Sequence, residues 1–297
     1  MQQVKNVSIH VMPVLAATML LFLPARTALG MPEGSPSVST SFEFSEGDYG
    51  TDQTSDSYRV PISLDYRFTE RFGLVLDISY IYQSDSSTVA LGGGRYPMHG
   101  SSTGGSGGSG GMTGQGPHGP GSGEPQPGMG DVTGTESQRG FGDIILTADY
   151  TLLPEGAKSP MVRTLIYAKV PTADEDKGLG SGAFDYGVGL SLSRGFGQWL
   201  VVAEAMFIAP GSKGDFEPDN YWSWLAAANH PVTDRLFLGV ELAGATAPFE
   251  GSDDALDLQF TASYRMSKRS SVGGYVATGL TDGSADLGIG VYGLISF

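Results

Sequence analysis

The sequence predicts an all-β fold: an antiparallel transmembrane β-barrel of outer-membrane type, with about twelve strands and one long low-complexity external loop. Three observations predict it. Segments of about ten residues alternate apolar with polar or small side chains, the period of a strand with two unlike faces. They are longer than the roughly five or six residues usual in soluble strands, and their charges sit opposite the apolar face, as in a wall with lipid outside and water inside. Finally, the connections alternate in kind along the chain, one set short and basic, the other longer and acidic.

Residues 140–194 carry the pattern most clearly. Ile144, Leu146, Ala148 and Tyr150 share one face, as do Val162, Thr164, Ile166, Ala168 and Val170, and then Phe184, Tyr186, Val188, Leu190 and Leu192. The opposite face carries Asp143, Asp149, Arg163, Tyr167, Lys169 and Asp185. A turn centred near Gly156 sets Asp149 opposite Arg163 and Asp143 opposite Lys169. Opposite charges facing one another across a ladder are favourable. Asp185 on the following strand then lies beside Lys169. This is a charged stripe on a lumen wall; a structural salt-bridge ladder with no transport role is the alternative.

The chain opens with Lys5, an apolar run over residues 11–23, and Ala28-Leu29-Gly30. That is the layout of a secretory signal peptide over residues 1–30, and the run is shorter than the roughly 20 apolar residues a spanning helix needs. No other stretch is apolar enough to span as a helix, so a membrane-resident chain must cross with strands. Residues 31–297 then form the barrel. There are no cysteines to brace an exported protein,. Removing the leader with Lys5 and Arg26 takes the formal net charge from −15 to −17, which argues against nucleic acid as a partner. Forty-five glycines and only 16% charged residues do not suit a helical globular domain,.

In chain order, Val38, Thr40, Phe42 and Phe44 alternate with Ser39, Ser41 and Glu43 in a first strand. Tyr58, Val60, Ile62, Leu64 and Tyr66 oppose Arg59, Ser63 and Asp65 in a second, and Leu74, Leu76, Ile78, Tyr80 and Tyr82 oppose Asp77 and Ser79 in a third. Tyrosines at strand ends fit an interfacial aromatic girdle. Residues 83–140 are an insert rich in Gly, Ser, Pro and Met without apolar periodicity. Such a segment buries too little to offset its ordering entropy and is expected to be disordered. Beyond residue 194, Trp199, Val201, Ala203, Ala205 and Phe207 oppose Glu204, and Leu236, Leu238, Val240 and Leu242 oppose Glu241. Leu256, Leu258, Phe260, Ala262 and Tyr264 oppose Asp257 and Arg265 in the cleanest alternation of the chain. Residues 221–229 are less clear, because both faces are apolar or small. The last run ends on Phe297 with Leu287, Ile289, Val291 and Ile295 in phase and Gly293 interrupting them. It resembles the C-terminal signal read by the barrel assembly machinery.

The short connections hold Arg67, Arg71, Lys158, Arg194, Arg235, Lys268 and Arg269; the long ones are residues 46–56, the insert, 174–176, 215–219 and 250–254. Short turns face the periplasm and long loops the exterior.

Chemistry is sparse. The histidines beyond the leader are His99, His118 and His230, none on a strand near a serine or aspartate at usable spacing, so no nucleophile–base pair is expected. Gly178-Leu179-Gly180-Ser181-Gly182 lacks the lysine and following helix of a phosphate loop. Met98, His99, Met112, His118 and Met129 are soft or borderline donors, but their irregular spacing points to a solvated loop holding no metal. No enzyme activity, cofactor or metal is expected. The expected lumen-lining residues, candidates for setting selectivity, are Arg59, Asp65, Asp77, Asp143, Asp149, Arg163, Tyr167, Lys169, Asp185, Glu204, Glu241, Asp257 and Arg265,.

Gly142-Asp143-Ile144, Lys169-Val170-Pro171-Thr172-Ala173-Asp174, Lys177-Gly178-Leu179-Gly180-Ser181-Gly182 and Phe184-Asp185-Tyr186 resemble the outer-membrane "transporter" family named after the meta-pathway of phenol degradation. The resemblance runs from residue 37 to residue 297 apart from the insert. It implies a barrel in the outer membrane of a Gram-negative bacterium that admits small, often aromatic or hydrophobic, solutes. Its partners are then outer-membrane lipid, the assembly machinery acting through Phe297, and the solute. The alternative is a closed barrel serving as a surface scaffold or adhesion protein through its long loop.

Overall fold

The computed structural model describes residues 34–49, 54–84, 88–91, 94–97, 137–214, 217–249 and 252–297. Its strands are β1 (Pro36–Gly47), β2 (Ser55–Arg67), β3 (Phe72–Gln83), β4 (Thr88–Leu91), β5 (Gly94–Pro97), β6 (Gln138–Phe141), β7 (Ile144–Leu153) and β8 (Met161–Val170). They continue as β9 (Asp185–Phe196), β10 (Trp199–Ala209), β11 (Tyr221–Pro231), β12 (Leu236–Ala245), β13 (Ala255–Arg265), β14 (Ser270–Gly279) and β15 (Leu287–Ser296). Each barrel strand pairs antiparallel with its sequence neighbours, and β1 closes the ring on β15. Both β6 and β7 pair with β3, so they form one stave interrupted at Gly142-Asp143. The described residues make twelve staves, an even number as in single-chain bacterial barrels. No described helix is long and apolar enough to cross a membrane.

The alternation puts opposite chemistries on the two surfaces. Val38, Phe42, Ile62, Leu64, Ile166, Val188, Leu190, Phe260, Ile289 and Val291 stand exposed outside, while Ser37, Ser39, Ser41, Glu43 and Ser45 of β1 are buried inside. In a soluble sandwich the apolar rows would meet; here they face outward, the arrangement of a barrel whose apolar face is outside. Aromatic pairs mark the rims. Tyr58–Tyr82, Phe184–Tyr186 and Phe207–Trp222 lie at the long-loop end. Tyr66–Phe68–Phe72 and Trp199–His230 lie at the short-turn end.

The structure departs from the sequence reading in four places. The β7–β8 register is two residues from the expected one: Asp149 pairs with Leu165, Lys169 with Ile145, and Thr151 with Arg163. An even shift leaves every side chain on its face, so alternation alone does not detect it. Arg67, expected in a turn, ends β2 with its side chain directed inward to Asp149. The stretch expected to be a disordered insert contains the β4–β5 hairpin and the start of β6; its Met98, His99, Met112, His118 and Met129 lie outside the described residues, as do residues 1–30. Lastly, the inner face is not uniformly polar. Ile145, Leu165, Tyr167, Met206, Ile208 and Tyr221 form an apolar cluster inside the barrel, and Val202, Leu225 and Ala227 another. That is why β11 looked apolar on both faces.

Candidate functional site: the lumen and its outer mouth

Every candidate from the sequence has its side chain on the inner face. Asp65, Asp77, Asp143, Asp149, Arg163, Tyr167, Lys169, Asp185, Glu204 and Glu241 are buried there; Arg59, Asp257 and Arg265 are half-buried. The sequence reading had not singled out Glu43, Arg67 or Gln83 as lining residues. Glu43 faces Arg59 in the β1–β2 ladder and shares its face with a row of serines, the pattern that could have exposed it. With Glu43 and Arg67 included, nine carboxylates (Glu43, Asp65, Asp77, Asp143, Asp149, Asp185, Glu204, Glu241, Asp257) face five cations (Arg59, Arg67, Arg163, Lys169, Arg265).

These groups are sorted by height. Near the short-turn end, Arg67 donates to both oxygens of Asp149, at 2.7 and 3.1 Å. The strand between them, β3, contributes Gly73, where an added Cβ would sit 2.8 Å from both the guanidinium and the carboxylate. The bridge therefore passes over a strand that offers no side chain. Higher up, Arg59 donates to Ser79 (2.9 Å) and Ser63 to Asp77. On the opposite wall Glu204 of β10 and Glu241 of β12 face the lumen from either side of β11, whose Leu225 and Ala227 lie between them.

At the long-loop end Lys169 is the hub. Its ammonium lies 2.9 Å from Asp185 and 3.2 Å from Asp143, with side-chain exposures of 3%, 0% and 5% respectively, and it donates to Ser181. Asp185 stands opposite Lys169 in the β8–β9 ladder, as the sequence suggested. Asp143 reaches it instead from the break between β6 and β7. There its Oδ1 accepts the backbone N–H groups of Thr172 and Ala173 at 3.0 and 2.9 Å.

Those bonds draw residues 171–184, the loop between β8 and β9, against the inner wall. Gly180 packs so closely on Asp143 that a Cβ would lie 2.6 Å from the carboxylate. Leu179 is buried against Gly140, Gln83 donates to the carbonyl of Lys177, and Lys213 of the next long loop grips both oxygens of Glu175 at 2.6 Å. A single-turn 3₁₀ helix, Glu175–Lys177, ends at Gly178 in the left-handed region (φ 65°), where glycine carries no steric cost. The glycines of the sequence motif thus turn and pack a loop held inside the mouth, and no phosphate cradle forms. Among the described residues no group of three or more His, Asp or Glu is arranged to hold a metal ion.

A family model described as "Putative MetA-pathway of phenol degradation" matches residues 101–291. Among solved structures, an outer-membrane channel from Pseudomonas putida F1 aligns over 90% of this chain and 97% of its own, at 15% identity and a TM-score of 0.63. The KdgM porin in complex with disordered oligogalacturonate aligns over 88% of this chain and 99% of its own, at 10% identity and a TM-score of 0.50. At these identities the likeness is one of fold: a closed antiparallel β-barrel. No curated protein sequence matches the chain.

Proposed function

Since this chain belongs to the MetA-pathway of phenol degradation family, we propose that it is an outer-membrane channel that passes small solutes passively, aromatic or hydrophobic ones among them. The observation that carries this reading is the opposition of surfaces. Greasy side chains cover the outside of a closed ring while, among the described residues, nine carboxylates and five cations are enclosed within it. Ionised groups inside a barrel are favourable when water or one another surrounds them, and a wet lumen is a path. The loop of residues 171–184 narrows that path at its outer end, and the Lys169 node sets the charge where solute enters. The acid excess favours cations and neutral solutes. It argues against a polyanionic cargo such as the oligogalacturonate held by the KdgM porin. The apolar patch of Leu165, Met206, Ile208 and Tyr221 beside the charged node suits a solute with an aromatic body and one polar group. Conduction needs no cofactor, metal or catalysis. Phe297 serves barrel assembly, and the lipid of the outer membrane covers the apolar rows.

Purified protein in a planar bilayer should show discrete conductance steps. A salt gradient should give a reversal potential with K⁺ more permeant than Cl⁻. In liposomes, phenol-sized neutral solutes should enter faster than their carboxylate analogues. A barrel that folds and inserts but shows no conductance, or one that prefers anions, overturns the proposal.

A further inference from the structure

We propose that the membrane-facing wall formed by β12–β15 and β1 holds one anionic phospholipid of the periplasmic leaflet, with an acyl chain in a preformed groove and the phosphate on Arg235, Lys268 and Arg269. The sequence reading noted that Gly293 breaks the apolar row before Phe297; the groove is what that break makes. On the outer face, Thr40, Gly293, Val272, Tyr264 and Leu236 are successive partners along one rung of the sheet. Along the next rung Phe42, Val291, Gly274 and Ala262 follow one another. Two glycines and an alanine among larger apolar side chains leave a depression of about 720 Å³. That is within the roughly 300–1,000 Å³ typical of small-molecule sites. Its rim residues Phe42, Tyr264, Val272 and Val291 are all exposed.

The position of this depression selects the occupant. Leu236 directly follows Arg235, and Tyr264 and Val272 flank the turn that carries Lys268 and Arg269, so the groove opens at the short-turn, periplasmic end of the wall. The two turns are tied to the sheet: Arg265 donates its backbone N–H to Arg235, and Ser296 donates to Arg269, both at 2.8 Å. Arg235, Lys268 and Arg269 are exposed, and Asp234 is the only acid within these two turns. An apolar slot below a net-positive pair of turns complements a lipid with acyl chains and a net-negative head. A zwitterionic head gains less from the three cations, because its own ammonium opposes the attraction of its phosphate, and a second copy of this chain would bring like charge against like.

Native mass spectrometry of the full-length processed barrel, released from nanodiscs of equal phosphatidylglycerol and phosphatidylethanolamine, tests this. One phosphatidylglycerol per chain should be retained over phosphatidylethanolamine by a factor on the order of ten, given the attraction each basic group adds near an anionic surface. Gly293→Leu should abolish retention while leaving the barrel folded, because a Cβ at Gly293 meets nothing within 4 Å and the new side chain fills the slot. Replacing Arg235, Lys268 and Arg269 together by Gln should keep a bound lipid but remove the headgroup preference. Equal retention of the two lipids by the wild type overturns the proposal. So does retention unaffected by Gly293→Leu, or a dimer of this chain in place of the lipid adduct.

Discussion

Replacing Lys169 by Met isolates the charge at the outer mouth while keeping most of the aliphatic stem. The ammonium neutralises two carboxylates at 2.9 and 3.2 Å, in a site where all three side chains are at most 5% exposed. Removing one partner of a buried ion pair costs about 3–5 kcal/mol, because the charge left behind has lost its hydration and its counter-ion. Here the stranded groups keep other donors. Asp143 still accepts from Thr172 and Ala173, and Asp185 from the backbone of Gly211 at 3.1 Å. The expected loss is therefore near the lower end, about 3 kcal/mol. Denaturant unfolding of the barrel refolded into vesicles, followed by tryptophan fluorescence and by heat-modifiable gel mobility, measures it. Adding Asp185→Asn should restore about 1–2 kcal/mol, since it removes the charge that Lys169 had balanced. Lys169→Met also removes the donor to Ser181, so limited proteolysis at Lys177 should accelerate relative to the wild type. A Lys169→Met barrel within about 0.5 kcal/mol of wild type, or a double variant that loses the sum of both single effects, would show that this ammonium is not what balances the two acids.

Ile166 stands in mid-strand on the outer face, 58% exposed; Ile166→Arg should cost roughly 2–4 kcal/mol in vesicle-unfolding experiments, whereas Thr147→Arg at similar depth on the inner face should cost far less. Glu204→Gln and Glu241→Gln should each lower the K⁺/Cl⁻ permeability ratio read from the reversal potential, by up to a factor of about five for a charge about 4 Å from a passing ion in water; an unchanged ratio in both would remove these acids from the conduction path. Gly290 lies inside the barrel under the Tyr275 ring, 2.2 Å from where a Cβ would sit. Gly290→Ala should therefore destabilise by about 1–3 kcal/mol through overpacking, and Tyr275→Ala in the same chain should relieve most of the clash, as a double-mutant cycle will show.

Which side chains face lipid and which face the lumen is written in the alternation, because a strand returns each side chain to the same face every second residue. That is why all thirteen candidate lining residues were nameable from the chain alone, and why the count of staves and the sorting of short and long connections were too. Partnership is different. Asp149 was expected to meet Arg163 across one ladder, yet it is held by Arg67 from two strands away, over Gly73. A register moved by two residues keeps every face and changes every neighbour, and a glycine on an intervening strand lets charges meet that are not adjacent in the sheet. Likewise, Asp143 serves the amides of Thr172 and Ala173 as well as Lys169, which depends on where residues 171–184 fold. Local periodicity decides the direction of each side chain; only the closed ring, with its particular stagger and its inward loop, decides which directions converge.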